Sequence, residues 1–524
     1  MPTVTWNGVD ITLFVYPSFM SEKHSPHSSE KEPSYYIACD LGAESGRVVL
    51  GTLAGGKLET EEIHRFLNLP VSYLGSTRWD ILLMFRELKT ALRKIAKRNI
   101  PIKSLSVDSW GVDYVWSGAS QAMLIPPYIY RDPRTESCYQ RALQEIGKEL
   151  IYAETGIQFM VINTLYQVMA DLERSQDILQ MAQGFLGIAD FFNFLFSGVR
   201  RAEMSFASTT QLYNPVQKTW SKLLCDLIGL TSRLLPEIIP AGTALGPLLA
   251  EVEKETGLKN VQVVATCSHD TGGAVAAVPA NELPDWAYLS SGTWSLIGVE
   301  LRAPLLTPEA RQSGFTNEVG VGGSIRFLRN IIGLWMLQEC RREWEREGRV
   351  FDYADLMNMA GESEPLRILL NPDDPRFVKS GDMPAKIEAF CCETHQPIPQ
   401  TPGQFVRAIL ESLALLYRDT LNLLETITSR TIRHLHIVGG GSRSDLLNQL
   451  VADATSRVVL AGPVESTAIG NILVQAMADG EIGSLPQLRE TVRNSFSINQ
   501  FHPRSNSDWR IAYEKFRKIR SSKS

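Results

Sequence analysis

Two stretches of this chain share one plan, and no other feature restricts the fold as strongly. Residues 36–51 read YIACDLGAESGRVVLG and residues 286–300 read WAYLSSGTWSLIGVE. Each places a turn of small, hydroxyl and glycine residues between two apolar, β-prone runs, which predicts a hairpin. A hairpin that returns midway along a chain predicts two domains of similar design. At roughly 150 residues per domain, 524 residues accommodate both.

Later segments indicate the kind of domain. SLSVDSWGVDYVW (104–116) reads as a strand pair and residues 136–153 as a helix. Between Phe405 and Ile427 apolar residues such as Val406, Ile409, Leu413, Leu416 and Leu424 recur at helical spacing without Pro or Gly. Thr420 is the one polar residue on that stripe, so a buried helix is expected. HLHIVGGG, SRSDLLNQLVADAT, RVVLAG and STAIGNILVQAMADG then supply strand and glycine turn, helix, strand and helix, an α/β layer. The residues after 505 are basic and weakly patterned.

Composition narrows the partners. With 52 Lys+Arg against 58 Asp+Glu the net charge is −6, which offers no basic footprint for nucleic acid. The longest apolar stretch, Gly187 to Val199, carries Asp190 and Asn193, so no membrane span is expected. Seven cysteines form no C-x-x-C pair or disulfide framework and fit a reducing cytoplasm. Cys391, Cys392 and His395 are too few for structural zinc. Residues 1–33 read as a flexible leader, with Met20 as the expected initiator. The apolar ITLFVYPSF within it lacks the cationic flank and cleavage site of a signal peptide.

Glycine turns next to strands invite a phosphate-binding reading, and the common alternatives fail. Gly51-TLAG-Gly56-Lys57 lacks the P-loop hydroxyl, because Leu58 stands in its place; a turn between strands is expected there. GGGSRS after Val438 lacks the third glycine of a dinucleotide fingerprint. What remains is a hairpin turn in each half, facing one nucleotide from both sides. Ala43, Ser45 and Gly46 have the small bulk that anion binding by successive N–H groups needs. Asp40, at a strand end, either reaches a phosphate-bound Mg²⁺ through water or caps a turn.

These residues carry a family resemblance. DLGAESGR, DSWGVDYV, YRDPRT, SHDTGGAV, YLSSGTWSLIG and HIVGGGSRSDLLNQLVADA resemble segments of the FGGY-family sugar kinases. The longer TGIQFMVINTLYQ, TNEVGVGGSIRFLRNIIGLWMLQ and NPDDPRF favour the branch of that family that phosphorylates L-rhamnulose. The resemblance spans about residues 36 to 505 and implies an α/β fold of two actin-like, ribonuclease H-like ATPase domains with the catalytic cleft between them. The domains implied are 34–279, with the sugar site and first phosphate turn, and 280–505, with the nucleotide, before a tail at 506–524. ATP, with Mg²⁺, and a ketose are the implied ligands.

The same resemblance implies the site. Asp270 in SHDTGG matches the aspartate that activates the sugar oxygen, and at pH 7 an ordinary carboxylate is ionised and able to accept that proton. By itself the His-Asp-Thr string reads equally as a capped helix start. His269, Thr271, Gly111 and Asn330 match sugar contacts, with Asp108, Trp110 and Asp113 as further neighbours. Ala43 to Arg47 (Ala43, Glu44, Ser45, Gly46, Arg47) match the first phosphate turn, Thr293 the second, and Gln338 and Gly441 the nucleotide lining. Glu44 departs from the family pattern, which favours a small polar residue there, and an acid beside a triphosphate is repulsive unless it points away or finds a cation. Two further readings compete: another deoxy-ketose kinase such as an L-fuculokinase, and a non-catalytic actin-fold protein that binds sugar or nucleotide.

Overall fold

The computed structural model describes residues 4–6, 9–11, 32–118, 123–504 and 507–521. Residues 1–32 and 33–524 form separate compact units. In the first, Val4–Trp6 pairs antiparallel with Val9–Ile11. Apart from that pair, the expected flexible leader and the start at Met20 fall outside the described residues.

The larger unit is built on two mixed sheets of one design. The first contains β1 (Ser34–Leu41), β2 (Ser45–Ala54), β3 (Lys57–Leu67), β4 (Ile102–Ser109), β5 (Thr243–Pro247) and β6 (Gln262–Ala265), in the order β5-β6-β4-β1-β2-β3. The second contains β7 (Trp286–Ser291), β8 (Trp294–Leu301), β9 (Thr316–Val319), β10 (Ile325–Ile332), β11 (His434–Val438), β12 (Val458–Ala461) and β13 (Asn499–Phe501), in the order β9-β10-β8-β7-β11-β12-β13. In each, the first strand of the recurring hairpin pairs antiparallel with its partner on one side and parallel with a later strand on the other. The duplication seen in two short strings is therefore a duplication of sheets. Ile37, Ala38 and Cys39 in β1, like Ala287, Tyr288 and Leu289 in β7, are fully buried, as central strands covered on both faces require.

The helices that matter for the site lie between the sheets. α1 (Asp270–Ala276) leaves β6 of the first sheet, yet Ala274 and Val275 pack with Trp286, Tyr288 and Val438 of the second. Conversely α5 (Ser466–Ala478), which follows β12, packs Ile472 and Leu473 against Tyr36, Ala38 and Val49 of the first. Each half thus lends a helix to the other's sheet, and the two helices cross where a Cβ on Gly470 would come within 1.9 Å of the Gly273 carbonyl oxygen. Only glycine fits that approach.

Three other helices of the second half bear on the site and its core. α2 (Trp335–Arg346) follows β10, α3 (Pro402–Thr428) is the expected buried helix with Thr420 fully enclosed, and α4 (Asp445–Thr455) packs on α3.

Three expectations need correction. Residues 136–153 form two helices, Glu136–Glu145 and Lys148–Thr155, because Gly147 between them takes φ 89°. The 104–116 segment supplies two strands that do not pair with each other: β4 lies between β1 and β6, whereas Tyr114–Gly118 pairs with Ala182–Gly187. The residues after 505 include a helix, α6 (Asp508–Ser521), that buries Trp509, Ala512 and Phe516 in the second half's core. Its apolar residues recur every three to four positions among many charges, which masks the pattern. The glycine turn at Gly55–Gly56 does join two strands, β2 and β3.

Candidate active site

Both hairpin turns open onto one cleft of about 1430 Å³. Asp40, Ala43, Glu44, Ser45 and Arg47 line it from the first half, together with Gly111. His269, Asp270 and Thr271 line its floor, and Thr293, Asn330, Gln338 and Gly441 line it from the second half. Three expected residues do not reach the wall. Gly46 turns its α-carbon toward the Phe66 ring, and Asp108 and Asp113 lie one layer deeper.

Asp270 begins α1, where its Oδ1 accepts hydrogen bonds from the Thr271 N–H at 2.6 Å and the Thr271 hydroxyl at 3.1 Å. Its Oδ2 takes no hydrogen bond from the described residues, and the side chain keeps 29% of its exposure, toward the cleft. Burial raises the carboxyl above its ordinary value and the Asp40 charge adds to this, while His269 and the Thr271 bonds oppose it. The carboxylate is thus both held and more basic than an exposed one, which suits a proton acceptor.

Asp40 stands opposite Asp108 in the parallel β1–β4 pair. Burial and the Asp40 charge push the Asp108 carboxyl well up, and Asn471 of α5 donates to it at 2.5 Å. Arg47 balances Asp40 by donating twice to one oxygen, at 2.6 and 2.9 Å, and also pairs with Glu465 of the second half. No group of three His, Cys, Asp or Glu able to hold a metal occurs among the described residues. Mg²⁺ needs no such group, since it is commonly held by one or two carboxylates plus phosphates and water. Asp40, whose side chain lines the cleft, fits such a role.

The wall that carries Gly111 and Asn330 is stiffened by contacts that reach beyond the residues singled out in the sequence. Asp113 Oδ2 accepts from Trp79 Nε1 at 2.7 Å, Trp110 Nε1 at 2.9 Å and the Tyr130 N–H at 3.1 Å. Burial moves its carboxyl up to about 6, against the pull of these bonds. It holds Trp79 and Trp110 with ring centroids 4.3 Å apart at the cleft. Next to Gly111, Val112 adopts φ 66°, a strained value for a β-branched residue. The Thr209 hydroxyl accepts its N–H, and Thr164 and Gln167 donate to its carbonyl. Gln158 clasps Asn330, accepting from its N–H at 3.0 Å and donating to its carbonyl at 3.3 Å. These residues lie far apart in sequence, and only the fold brings them together.

On the cleft wall from the second half, Gly441 lies against Ser291, where any Cβ would strike the Ser291 hydroxyl. Gln338 Oε1 is buried without a partner among the described residues. Glu44 finds its cation: Arg342, one turn along α2 from Gln338, donates to it at 2.7 Å.

A glycine-bearing hairpin turn from each of two duplicated halves, both opening on one cleft with a held carboxylate between them, defines the architecture of the actin-like kinase class. Comparison with known proteins gives the family. The model of the FGGY family of carbohydrate kinases matches twice, its N-terminal domain at residues 35–277 and its C-terminal domain at 287–478. A rhamnulokinase from Bacteroides thetaiotaomicron is 42% identical over 483 residues, covering 92% of this chain and 98% of that relative. One from Oceanobacillus iheyensis is 39% identical over 462 residues, covering 88% and 97%. Among solved structures, a ligand-bound xylulose kinase from Lactobacillus acidophilus superposes with a TM-score of 0.79 at 16% identity, over 93% of this chain and 98% of that one. A Plasmodium falciparum glycerol kinase with ADP gives 0.74 at 13%, over 94% and 97%. The chain belongs to the FGGY family of carbohydrate kinases and is an ATP-dependent sugar kinase.

Proposed function

We propose that this chain transfers the γ-phosphoryl group of ATP to O1 of L-rhamnulose, giving L-rhamnulose 1-phosphate and ADP. One observation carries the reading: Asp270 presents an unpartnered oxygen into a cleft that both phosphate turns and the Gly111–Asn330 wall share. In it Asp270 accepts the O1 proton as the hydroxyl attacks, and His269, Thr271, Gly111 and Asn330 orient the sugar. The turn from Ala43 to Arg47, with Thr293, Gln338 and Gly441, places the triphosphate in line. Asp40 would hold Mg²⁺, which when bound neutralises phosphate charge. The high identity to rhamnulokinases along nearly the whole chain supports the substrate.

We further assign residues 34–279 and 280–505 as the two domains and the cytoplasm as the compartment. Seven free cysteines support the latter, and no described helix is long and apolar enough to cross a membrane. The test is ADP release by the purified chain with ATP and a panel of ketoses. L-rhamnulose is expected to give the highest kcat/KM; preference for L-fuculose would replace the substrate, and no sugar-dependent ADP would leave a binding protein.

A further inference from the structure

Behind His269 lies a buried charge pair that neither the phosphate turns nor the proton acceptor account for. Glu318, on β9 of the second half, is 4% exposed, and its Oε2 stands 3.2 Å from His269 Nδ1. The same oxygen is 3.1 Å from Arg326 on β10, a side chain with no exposure at all. Arg326 also donates through Nε and a terminal nitrogen to the Val319 carbonyl, both at 3.3 Å. On its other side His269 turns Nε2 toward Asp270 Oδ1, 3.4 Å away.

We propose that Glu318 is a positioning residue for phosphoryl transfer, acting by fixing the tautomer and orientation of His269. A guanidinium does not lose its proton, so Arg326 keeps Glu318 ionised. Although burial alone would raise it, Arg326 and then His269 hold the Glu318 carboxyl below its usual range. An ionised carboxylate only accepts, so Glu318, 3.2 Å from Nδ1, favours hydrogen on that nitrogen. A terminal nitrogen of Arg326, which also donates to the Val319 carbonyl, lies 3.3 Å from Nδ1 and would donate to it in the opposite tautomer; on this proposal the Glu318 charge decides between the two.

Nε2 is then the atom on the reacting side in either state. In the neutral ring it accepts a hydroxyl or water hydrogen beside Asp270; in the charged ring it donates to Asp270 Oδ1. Without Glu318 the ring is free to place its hydrogen on Nε2 or to turn, and the order beside Asp270 is lost. A buried ion pair of this kind contributes little to stability compared with an apolar replacement of equal volume. Its placement against a residue next to the proton acceptor, across the seam between the halves, is what points to catalysis.

This inference rests on the sugar-kinase reading of Asp270, and its test separates the two. Tautomers are read by NMR on ¹⁵N-histidine-labelled full-length chain without substrate, the His269 signal being identified by its loss in His269→Gln. Wild type is expected to show hydrogen on Nδ1. In Glu318→Ala the Nε2–H form should appear and kcat should fall about tenfold or more, as loss of orientation commonly costs, with KM for ATP within about twofold. Glu318→Gln keeps an acceptor oxygen at the same reach and should keep both the Nδ1–H form and most of kcat. If Glu318→Ala does not fold, Glu318→Gln decides on the same criterion: tautomer and kcat move or stay together. A variant in which one changes and the other does not overturns the proposal, as does wild type with hydrogen on Nε2. The ketose that the substrate panel identifies serves for kcat, so failure on L-rhamnulose would refute the substrate alone.

Discussion

Asp270, proposed above as the acceptor of the sugar proton, meets opposing demands in that role, since an acceptor must be ionised, yet burial in the cleft floor favours its protonated form. Activity should therefore be complete above the Asp270 pKa and fall as pH drops through it, with the acid limb of kcat/KM above the ~3.9 of an ordinary aspartate. Asp270→Asn, which keeps the shape, should lower kcat by roughly 10²-fold or more and abolish that limb. Retention of more than about a tenth of the wild-type rate would sink the assignment. Glu44 makes a different prediction, because it and Arg342 are each about half exposed and their pairing contributes little to stability. Glu44→Ser should leave the melting temperature within a degree or so and lower KM for ATP severalfold at low salt, by removing a repulsive charge and releasing Arg342, with the gain shrinking as salt rises. At this scale the sequence was legible where chemistry is local: the turn from Asp40 to Arg47 and the His-Asp-Thr string both reach the cleft. It was illegible for Glu318 and Gln158, whose partners are distant in the chain and whose residue types are ordinary.

The elements were legible in proportion to how far local pattern determined them. The hairpins, the helix Pro402–Thr428 and the alternation from His434 to Ala478 followed from periodicity and glycine placement. Asp108 and Asp113, expected as neighbours of the sugar, stand behind the cleft wall, where one meets α5 and the other braces two indoles. The helix Asp508–Ser521 went unseen because its buried face is narrow and its remaining positions are mostly charged or polar. Phe516 is nevertheless fully buried, so Phe516→Ala should cost about 3–5 kcal/mol in unfolding free energy, measured by urea titration, while leaving KM for sugar unchanged. The α1–α5 crossing predicts a larger sensitivity per atom added. Gly470→Ala inserts a single methyl against the Gly273 carbonyl and should destabilise by about 1–3 kcal/mol or more, and because α1 carries Asp270 it should also lower kcat. A variant with wild-type stability and turnover would show that the helices do not touch there.

Across the whole molecule, the duplication read from two short strings became two sheets of like topology, but the exchange of helices between them could not be read from either half. α1 and α5 are helices by local pattern, and nothing in their sequences says whose sheet each one covers. Ion pairs also bridge the halves across the cleft, Arg47 to Glu465 and Arg342 to Glu44. A triphosphate entering there competes for both arginines, so ATP affinity should weaken with ionic strength more steeply than sugar affinity, by titration of each ligand alone.

The crossing of Gly273 over Gly470 has one more consequence. With backbone resting on backbone, no side chain there can compress or change rotamer, so any movement of one half against the other would meet less obstruction in turning about that point than in sliding through it. Asp270 lies three residues from Gly273 on the same helix, about 4.5 Å at 1.5 Å per residue. A rotation of roughly 10° would displace its α-carbon by only about 0.8 Å on that radius, while the rims of the cleft sweep several times farther. In such a turn Asp270 would stay beside the axle while the walls of the cleft rode on the wheel.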